Sequence, residues 1–412
     1  MLMRGGNVAV VGGSVAGCAA ALAAARGGAE RITVLERASG ELRERGVGLG
    51  IHQDRFAELE SAGYVDDSMP WCPMNQRIWT VRDGDDNLGR AIAVHPMPFR
   101  AYSWGSLWSE LRKRVPDSVD YRSGVSVSEV KQADDPQDGV TLQLTDGSEE
   151  HFDLVIGADG YRSVVRDTMF PDLRPTYAGY VLIRGVSPDL PQLAPGGEGP
   201  LAGPNLPTVV FPGGHCIMYR IPHPEGGYRV NWAVYTLLPE HLEKQLDPSE
   251  PTSVPPGSLT SELAQFGRDL ASEHFPPYWT ECVQRTPQEQ TFVQPIYDME
   301  VPSYTSGRLL LAGDAATVAR PHTGGGAVKA LQDGLALEEA WKAADSWEEL
   351  LNTYNSGRVA IGSAMVEVGR RLGAAQVTDT PDWASMDADD LAAWWKAANE
   401  KVGFGGLSVK RD

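Results

Sequence analysis

Glu36, Asp159 and Asp314 each stand at the end of an apolar run, and that setting limits what they can bind. Glu36 closes Arg31-Ile32-Thr33-Val34-Leu35, Asp159 follows Asp153-Leu154-Val155-Ile156-Gly157-Ala158 and precedes Gly160, and Asp314 follows Leu309-Leu310-Leu311-Ala312-Gly313. Such runs fit strands buried on both faces of a parallel sheet, and a Gly beyond them lets the chain turn close to a ligand. Another run, Val8-Ala9-Val10-Val11, leads into Gly12-Gly13-Ser14-Val15-Ala16-Gly17. Gly12 permits the tight turn, and Gly17 opens a helix of small residues, Cys18 to Arg26, that can pack closely on a sheet. Free backbone N–H groups around Ser14, Val15 and Ala16 would hold a pyrophosphate at that helix start. Glu36, with Arg37 beside it, lies where a carboxylate about 20 residues on accepts a ribose 2′-OH. Ser14 occupies the place of the usual second Gly, a small residue that keeps the turn and adds a donor. Segments 8–17, 153–160 and 309–314, each shaped as a nucleotide contact, together point to bound FAD.

A chain of 412 residues exceeds one ordinary core and predicts two domains. Thirty-six Lys and Arg against 55 Asp and Glu give a net charge of −19, which argues against nucleic acid or an anionic membrane as partner. Cys18, Cys72, Cys216 and Cys282 are scattered with no C-x-x-C spacing, so reduced buried thiols are expected and no metal site. No apolar run approaches the roughly 20 residues of a membrane span, and the chain enters its first strand almost at once, which reads as cytoplasmic.

The elements that must position these residues follow from periodicity. Gly46-Val47-Gly48-Leu49-Gly50-Ile51 reads as a Gly-rich loop, through which Gly48 could approach a ring system or ribose. Arg77 to Val81 alternates as a strand with a hairpin near Asp83-Gly84, residues 102–115 read as a helix, and Val125 to Val130 pairs with Val140 to Leu144. From Thr176 to Tyr235 the pattern turns strand-rich, with Thr208 to Phe211, Cys216 to Ile221 and Tyr228 to Tyr235 forming an antiparallel sheet. Helical patterns return at Ser258 to Glu273, Tyr278 to Gln284, Gly325 to Ala344, Trp347 to Leu372 and Met386 to Val402, with a loop at Asp247 to Pro256. The fold expected is α/β: a Rossmann-like FAD-binding domain in three parts (1–72, 99–174, 300–376) interleaved with an antiparallel-sheet substrate domain (73–98, 175–299) and a helical tail (377–412). Trp383 and Trp394-Trp395 in that tail are expected to dock on the body or on a partner subunit, the latter making a homodimer.

This arrangement resembles the class A flavoprotein monooxygenases, those with the para-hydroxybenzoate hydroxylase fold, from Val8 to about Leu372. The carriers are Gly12 to Gly17 with Glu36, Asp159-Gly160 followed by Arg162-Ser163, and Gly313-Asp314 followed by Pro321. The resemblance implies that Asp314 binds the FAD ribitol and that Asp159-Gly160 lies near FAD and serves the reduced nicotinamide as well. Pro175-Thr176-Tyr177-Ala178-Gly179-Tyr180-Val181 with Arg184-Gly185-Val186, and Arg320-Pro321-His322 with Lys329-Ala330, look like the 2,6-dihydroxypyridine 3-hydroxylase branch, which oxidises small electron-rich N-heteroaromatics. Two departures stand out. The helix near Ser103 lacks the Arg that many members place against the flavin, and Leu182-Ile183 replaces the Thr-Trp that precedes Arg-Gly in relatives.

What the resemblance implies chemically is hydroxylation with NADH or NADPH and O2 through a flavin hydroperoxide, which needs an ionisable ring substrate, a proton acceptor and a dry site. His322 is the candidate acceptor, since it follows Pro321 ahead of Thr323-Gly324-Gly325-Gly326, whose bare N–H groups can meet the flavin pyrimidine edge. A histidine that merely packs this loop is the alternative. Tyr180, Tyr219 and His215 are the next catalytic candidates, although His215 reads as a turn residue; Arg220 and Trp232 lie on the same proposed strands. A flavin-dependent halogenase shares the fold, but its Trp-x-Trp-x-Ile-Pro segment is absent. An FAD-dependent dehydrogenase or reductase, a non-catalytic flavoprotein, and a monooxygenase of larger natural products are the remaining readings.

Overall fold

The computed structural model describes residues 6–40, 42, 48–135, 138–188, 200–201, 203–223, 225–246 and 259–399. The expected loops at Asp247 to Pro256 and at Gly46-Val47, and Val402, lie outside the described residues. In chain order the first half runs β1 (Asn7–Val11), α1 (Val15–Gly27), β2 (Arg31–Glu36), β3 (Gly48–His52), α2 (Gln53–Ser61), β4 (Cys72–Val81), β5 (Arg90–Ser103), α3 (Trp104–Arg114), β6 (Asp120–Ser123), β7 (Val127–Gln132), β8 (Val140–Leu144), β9 (Glu149–Phe152), β10 (Leu154–Gly157) and α4 (Val164–Met169). The second half runs β11 (Thr176–Pro188), β12 (Asn205–Phe211), β13 (Gly214–Pro222), β14 (Tyr228–Thr236), α5 (Glu240–Glu243), α6 (Ser261–His274), α7 (Pro277–Gln284), β15 (Thr291–Glu300), β16 (Thr305–Ser306), β17 (Leu309–Leu311), β18 (Thr317–Val318), α8 (Gly326–Ala343), α9 (Trp347–Gly373) and α10 (Ala388–Ala398).

Apolar runs with no polar face must be covered twice, and the runs at β1, β10 and β17 are buried accordingly. They lie side by side and parallel in a six-stranded sheet of order β16-β17-β10-β1-β2-β6. The register sets Val11 against Gly157 and Gly157 against Leu311, so the turns after all three strands open at one sheet edge. In an open parallel sheet that edge, beyond the carboxyl ends, is where ligands bind. Helices α1 and α8 pack there: a Cβ on Gly334 would stand 2.8 Å from that of Ala19, so the two small-residue faces meet closely.

The second sheet has nine strands, β18-β15-β11-β14-β13-β12-β4-β5-β3, antiparallel except where β12 joins β4. Residues 48–52 form its edge strand, pairing Gly48 with Ser103, so the expected loop is in part a strand; a partner from β5 supplies the ladder that two glycines in five residues disfavour locally. Alternation divides the sheet into two faces. Val181, Ile183, Val234, Cys216 and Trp232 point to one side and form a core with α6 and α7. The facing rows Thr208–Ile217–Ala233–Arg184–Phe292 and Val210–His215–Tyr235–Leu182–Gln294 point to the other, toward the loop that begins at Pro321. A tail consisting of a π-helical turn (Ala374–Thr378) and α10 folds back onto this second face, where Trp383, Trp394 and Trp395 pack around Trp79 at 6.1, 5.5 and 5.3 Å between ring centroids. The Trp-rich segment thus docks on the body, and α10 is shorter than the expected Met386 to Val402. Among the described residues no helix is long and apolar enough to cross a membrane.

Candidate active site

The Gly12–Gly17 turn is built for close backbone approach. Gly12 has φ +98°, and a Cβ there would strike the Ala158 carbonyl; one on Gly17 would strike the carbonyl of Gly12. Ser14 caps α1 without a side-chain cap bond, which leaves the first-turn N–H groups of Val15 and Ala16 to an anion. The peptide between Gly13 and Ser14 is clamped: Trp108 Nε1 and the Tyr121 hydroxyl donate to the Gly13 carbonyl at 2.9 and 2.8 Å. Glu36, 7% exposed, accepts from Gly13 N and Ala38 N at 2.8 Å each, one bond per carboxylate oxygen, so each oxygen keeps a free lone pair. Arg37 is exposed beside it, and Arg112 of α3 lies 4.1 Å above the Tyr121 ring.

The other two carboxylates are under-satisfied. Asp159 Oδ2 accepts from Val164 N at 2.8 Å, but Oδ1 is sealed from solvent with no partner. Burial raises this carboxyl to about 6, against hydrogen bonds from the Ser163–Val165 turn that lower it. Gly160 follows with φ +76°. Asp314 has no hydrogen-bond partner among the described residues; it is open to solvent yet deep in the molecule, and the surrounding protein raises its pKa despite Lys329. Gly313 turns with φ +60° hard against Ala16. Beneath it lies a buried ion triad that sequence reasoning missed: Asp333 accepts from Gly313 N at 2.8 Å, from Lys329 Nζ at 2.7 Å and from Arg358 Nε at 2.7 Å. Only the i,i+4 spacing of Lys329 and Asp333 could have hinted at it. An anion-ready helix start, a buried carboxylate with free lone pairs, an orphaned acceptor and an unpartnered acid at one sheet edge are a donor and acceptor set that fits FAD.

On the loop before α8, Pro321 opens a helical turn, Gly324 has φ +62°, Gly325 is buried and Gly326 starts the helix without a side-chain cap. His322 lies under this loop against the second sheet. Its Nε2 bonds the Tyr180 hydroxyl at 2.8 Å, while its Nδ1 is buried without a partner. The ring packs 4.3 Å from Tyr235 and 5.3 Å from His215, which itself stacks on Tyr235 at 4.7 Å. Burial, aided by His215, Arg320 and Arg77, holds His322 well below its ordinary 6.5, so the imidazole is neutral at working pH rather than poised to titrate there. His215 is held down to about 3, again by burial and Arg77. Tyr180 is pushed up to about 12 by burial, against the pull of Arg320. Arg320 in turn donates to the buried Asp298 at 2.8 Å, whose other oxygen takes Arg370 from the surface. Residue 373, the last of α9, has no room for a side chain, because a Cβ there would strike the Tyr180 hydroxyl.

His322, Tyr180 and His215 therefore come together, with two further partners: Tyr235, which sequence reasoning did not single out, and Arg320, which it quoted only within the Arg320-Pro321-His322 segment. Tyr219 shares the face but stands apart, against the backbone of Gly48, whose N–H donates to Asn231 at 3.0 Å. Arg220 and Trp232 fall on the other face; Trp232 donates to Thr286 in the helical core. The four cysteines are buried and unbridged, and the described residues hold no metal-binding cluster.

A family profile described as an FAD binding domain matches residues 6–178 and 272–368. The chain is 27% identical over 380 residues to 2,6-dihydroxypyridine 3-monooxygenase of Paenarthrobacter nicotinovorans, covering 89% of this chain and 90% of that protein. It is 30% identical over 403 residues to 3-amino-4-hydroxybenzoate 2-monooxygenase of Streptomyces cremeus, covering 94% and 92%. The solved structure of 2,6-dihydroxypyridine-3-hydroxylase from Arthrobacter nicotinovorans superposes with a TM-score of 0.77 at 26% identity, over 91% of this chain and 94% of that one. The chain thus belongs to the FAD binding domain family, as a class A flavin-dependent aromatic monooxygenase with the para-hydroxybenzoate hydroxylase fold.

Proposed function

We propose that this enzyme hydroxylates a small electron-rich aromatic or N-heteroaromatic ring, a hydroxypyridine or an aminophenol-type ring among them, using NADH or NADPH and O2. The observation that carries the reading is the His322–Tyr180 pair: a neutral imidazole with one nitrogen committed and the other buried and unpartnered. Bound FAD supplies reducing equivalents to O2 and delivers one oxygen atom. Glu36, Asp159 and Asp314, with the N–H groups of α1 and of Gly324 to Gly326, would hold it.

The residues of this chain manage the substrate proton. A neutral imidazole offers one donor and one acceptor. With Nε2–H directed at the Tyr180 oxygen, Nδ1 presents a lone pair to a substrate hydroxyl; drawing that proton inward enriches the ring for oxygen attack. Because burial disfavours an imidazolium, His322 serves by holding the substrate hydroxyl proton in a hydrogen bond at Nδ1 rather than by taking it outright. Tyr180, a neutral phenol on Nε2, fixes that tautomer, and Arg320, bonded to the buried Asp298, adds positive potential beside it. Stacked rings of His215 and Tyr235 exclude water around the imidazole. The test is a screen of hydroxypyridines and aminophenols for stimulated NAD(P)H oxidation, with mass spectrometry of the products. A product one oxygen heavier supports the reading, and stimulated oxidation without any hydroxylated product from any ring overturns it.

A further inference from the structure

The phosphate turn of this chain carries its glycines out of the usual register. The fingerprint G-x-G-x-x-G leaves the place after the first Gly open and has Gly at the next, where backbone meets the pyrophosphate; here Gly13 fills the open place and Ser14 the other. Gly13 has a cause of its own, because a Cβ there would strike the Tyr121 hydroxyl and stand 3.0 Å from the Cβ of Glu36. Its missing side chain makes room for protein, not for ligand. Both polar groups of Gly13 are then taken by side chains of other elements. The N–H donates to Glu36 Oε2 at 2.8 Å, and the carbonyl accepts from Trp108 Nε1 at 2.9 Å, from the Tyr121 hydroxyl at 2.8 Å and from the Cys18 thiol at 3.4 Å. Trp108 lies on α3, Tyr121 on β6 and Cys18 on α1, so three elements fix one carbonyl and use up its lone pairs. A planar trans peptide points its C=O and N–H in opposite directions. With the Gly13 carbonyl turned into α3 and β6, the Ser14 N–H faces away from them, and it has no partner among the described residues. The Ser14 hydroxyl is free as well: an N-cap serine ordinarily accepts from the N–H two or three residues on, and this one makes no cap bond. Ser14 thus adds two donors to the N–H groups of Val15 and Ala16 at the start of α1. Gly313, at another turn on the same sheet edge, is fixed in the same way: Asp333 takes its N–H at 2.8 Å and Lys329 donates to its carbonyl at 3.1 Å.

We propose that Trp108 and Tyr121 are positioning residues for the cofactor: by fixing the Gly13 carbonyl they aim the N–H and hydroxyl of Ser14 at the FAD pyrophosphate, and so supply what the absent second glycine gives elsewhere. This rests on the reading of this sheet edge as the FAD cradle and concerns neither the ring substrate nor the oxygen step. The clamp acts before the ligand arrives. A turn already held in its binding geometry avoids the ordering cost of association, so the loss of such a clamp appears in affinity. Side chains that only hold the fold stabilise the free and the loaded protein alike, and their loss appears in unfolding while affinity stays unchanged.

In the experiment, holoenzyme stripped of FAD is titrated back by flavin fluorescence, ADP is competed against FAD, and urea unfolding of the same apoprotein is followed in parallel. Tyr121→Phe keeps the ring and removes one donor, and should weaken FAD and ADP together by about 5-fold, the worth of one net hydrogen bond. Trp108→Phe/Tyr121→Phe, which leaves the Gly13 carbonyl only the thiol, should weaken both by at least about 25-fold. Ser14→Ala removes no cap bond, so it should unfold as the wild type does and still weaken both ligands by about 5-fold. In the Tyr121→Phe background Ser14→Ala should weaken them by less than this, because the hydroxyl is no longer held toward the ligand. Affinities for FAD within about twofold of wild type in Tyr121→Phe and in the double variant, beside a fall in unfolding free energy, would make the clamp an element of the fold alone and overturn the proposal. Weakened FAD with ADP untouched overturns it too, since the effect then lies away from the pyrophosphate. Should the double variant not fold, Tyr121→Phe and Ser14→Ala decide by the same criteria. A wild-type apoprotein that binds neither FAD nor ADP removes the cradle reading itself.

Discussion

Asp159 offers a test that reads the cofactor cradle through protein stability. Its Oδ1 is buried and unpartnered, and burial raises the carboxyl from 3.8 to about 6. An acid whose pKa is raised by folding is a penalty on the folded state: between the two values the unfolded chain has released the proton that the folded chain retains, so stability falls as pH rises through this window and stays low above it. For one group with these two pKa values the penalty is at most about 0.6 kcal/mol at pH 4, about 1.6 at pH 5 and about 3 at pH 7. Asp159→Asn keeps an acceptor for Val164 N and removes the ionisation. Urea unfolding of the apoprotein, run for both proteins from pH 5 to pH 8, should show the variant gaining on the wild type by about 1.3 kcal/mol across that range. Saturating FAD should shrink the gain, because a hydroxyl donated to Oδ1 favours the carboxylate. Parallel pH curves for the two apoproteins would refute the reasoning, since they would mean that Oδ1 is already satisfied.

Other consequences follow from the same geometry. His322→Ala should retain its FAD spectrum, lose hydroxylation by about 100- to 10,000-fold and release more hydrogen peroxide per nicotinamide oxidised, with coupling partly restored at high pH where the substrate ionises unaided; normal coupling across pH 6 to 9 would assign His322 to packing. Because burial holds His322 far below 6.5, the enzyme-side pH profile of hydroxylation should show no inflection near 6.5, which stopped-flow rates with a substrate of high pKa would reveal. Glu36→Ala strands the N–H groups of Gly13 and Ala38, each at a cost of about 1–3 kcal/mol, so calorimetry should register weaker FAD binding together with lower stability. Asp333→Ala leaves Lys329 and Arg358 as buried unpaired cations, a loss of about 3–5 kcal/mol in unfolding free energy, whereas a loss below about 1 kcal/mol would show the triad to be hydrated.

Much of the cofactor half is readable along the chain because its signals are local. At Val8 to Gly17 the apolar run, the positive-φ glycine and the small-residue helix all agree, and β1, the turn and α1 form there. The strands of 176–236 are equally plain, since turn residues bracket alternating segments. Pairing over long sequence separations is not plain. Residues 48–52 are composed like a loop and become a strand only because β5 lies beside them. Thr291–Glu300 gains strand identity from β11, more than a hundred residues earlier, across a register shift between Tyr177 and Val181. The same holds within the site. His322 stands out from its neighbours in sequence, but Tyr235 and Arg320 take their roles from contacts that no spacing encodes, and for Asp333 only the i,i+4 spacing to Lys329 gives a hint. Alternation could have separated Tyr219 from Arg220, because adjacent strand residues face opposite ways.

The central claim is that this chain transfers one atom of O2 to an electron-rich ring at the expense of a reduced nicotinamide. Turnover of the FAD-loaded enzyme under isotopically labelled dioxygen, with product mass and NAD(P)H consumption followed together, tests it most directly. The account predicts a product heavier by one labelled oxygen, nicotinamide oxidation accelerated by the ring substrate, and no turnover without oxygen. Label arriving from water, or an undiminished anaerobic rate, would contradict it and make the protein a dehydrogenase built on the same cofactor cradle.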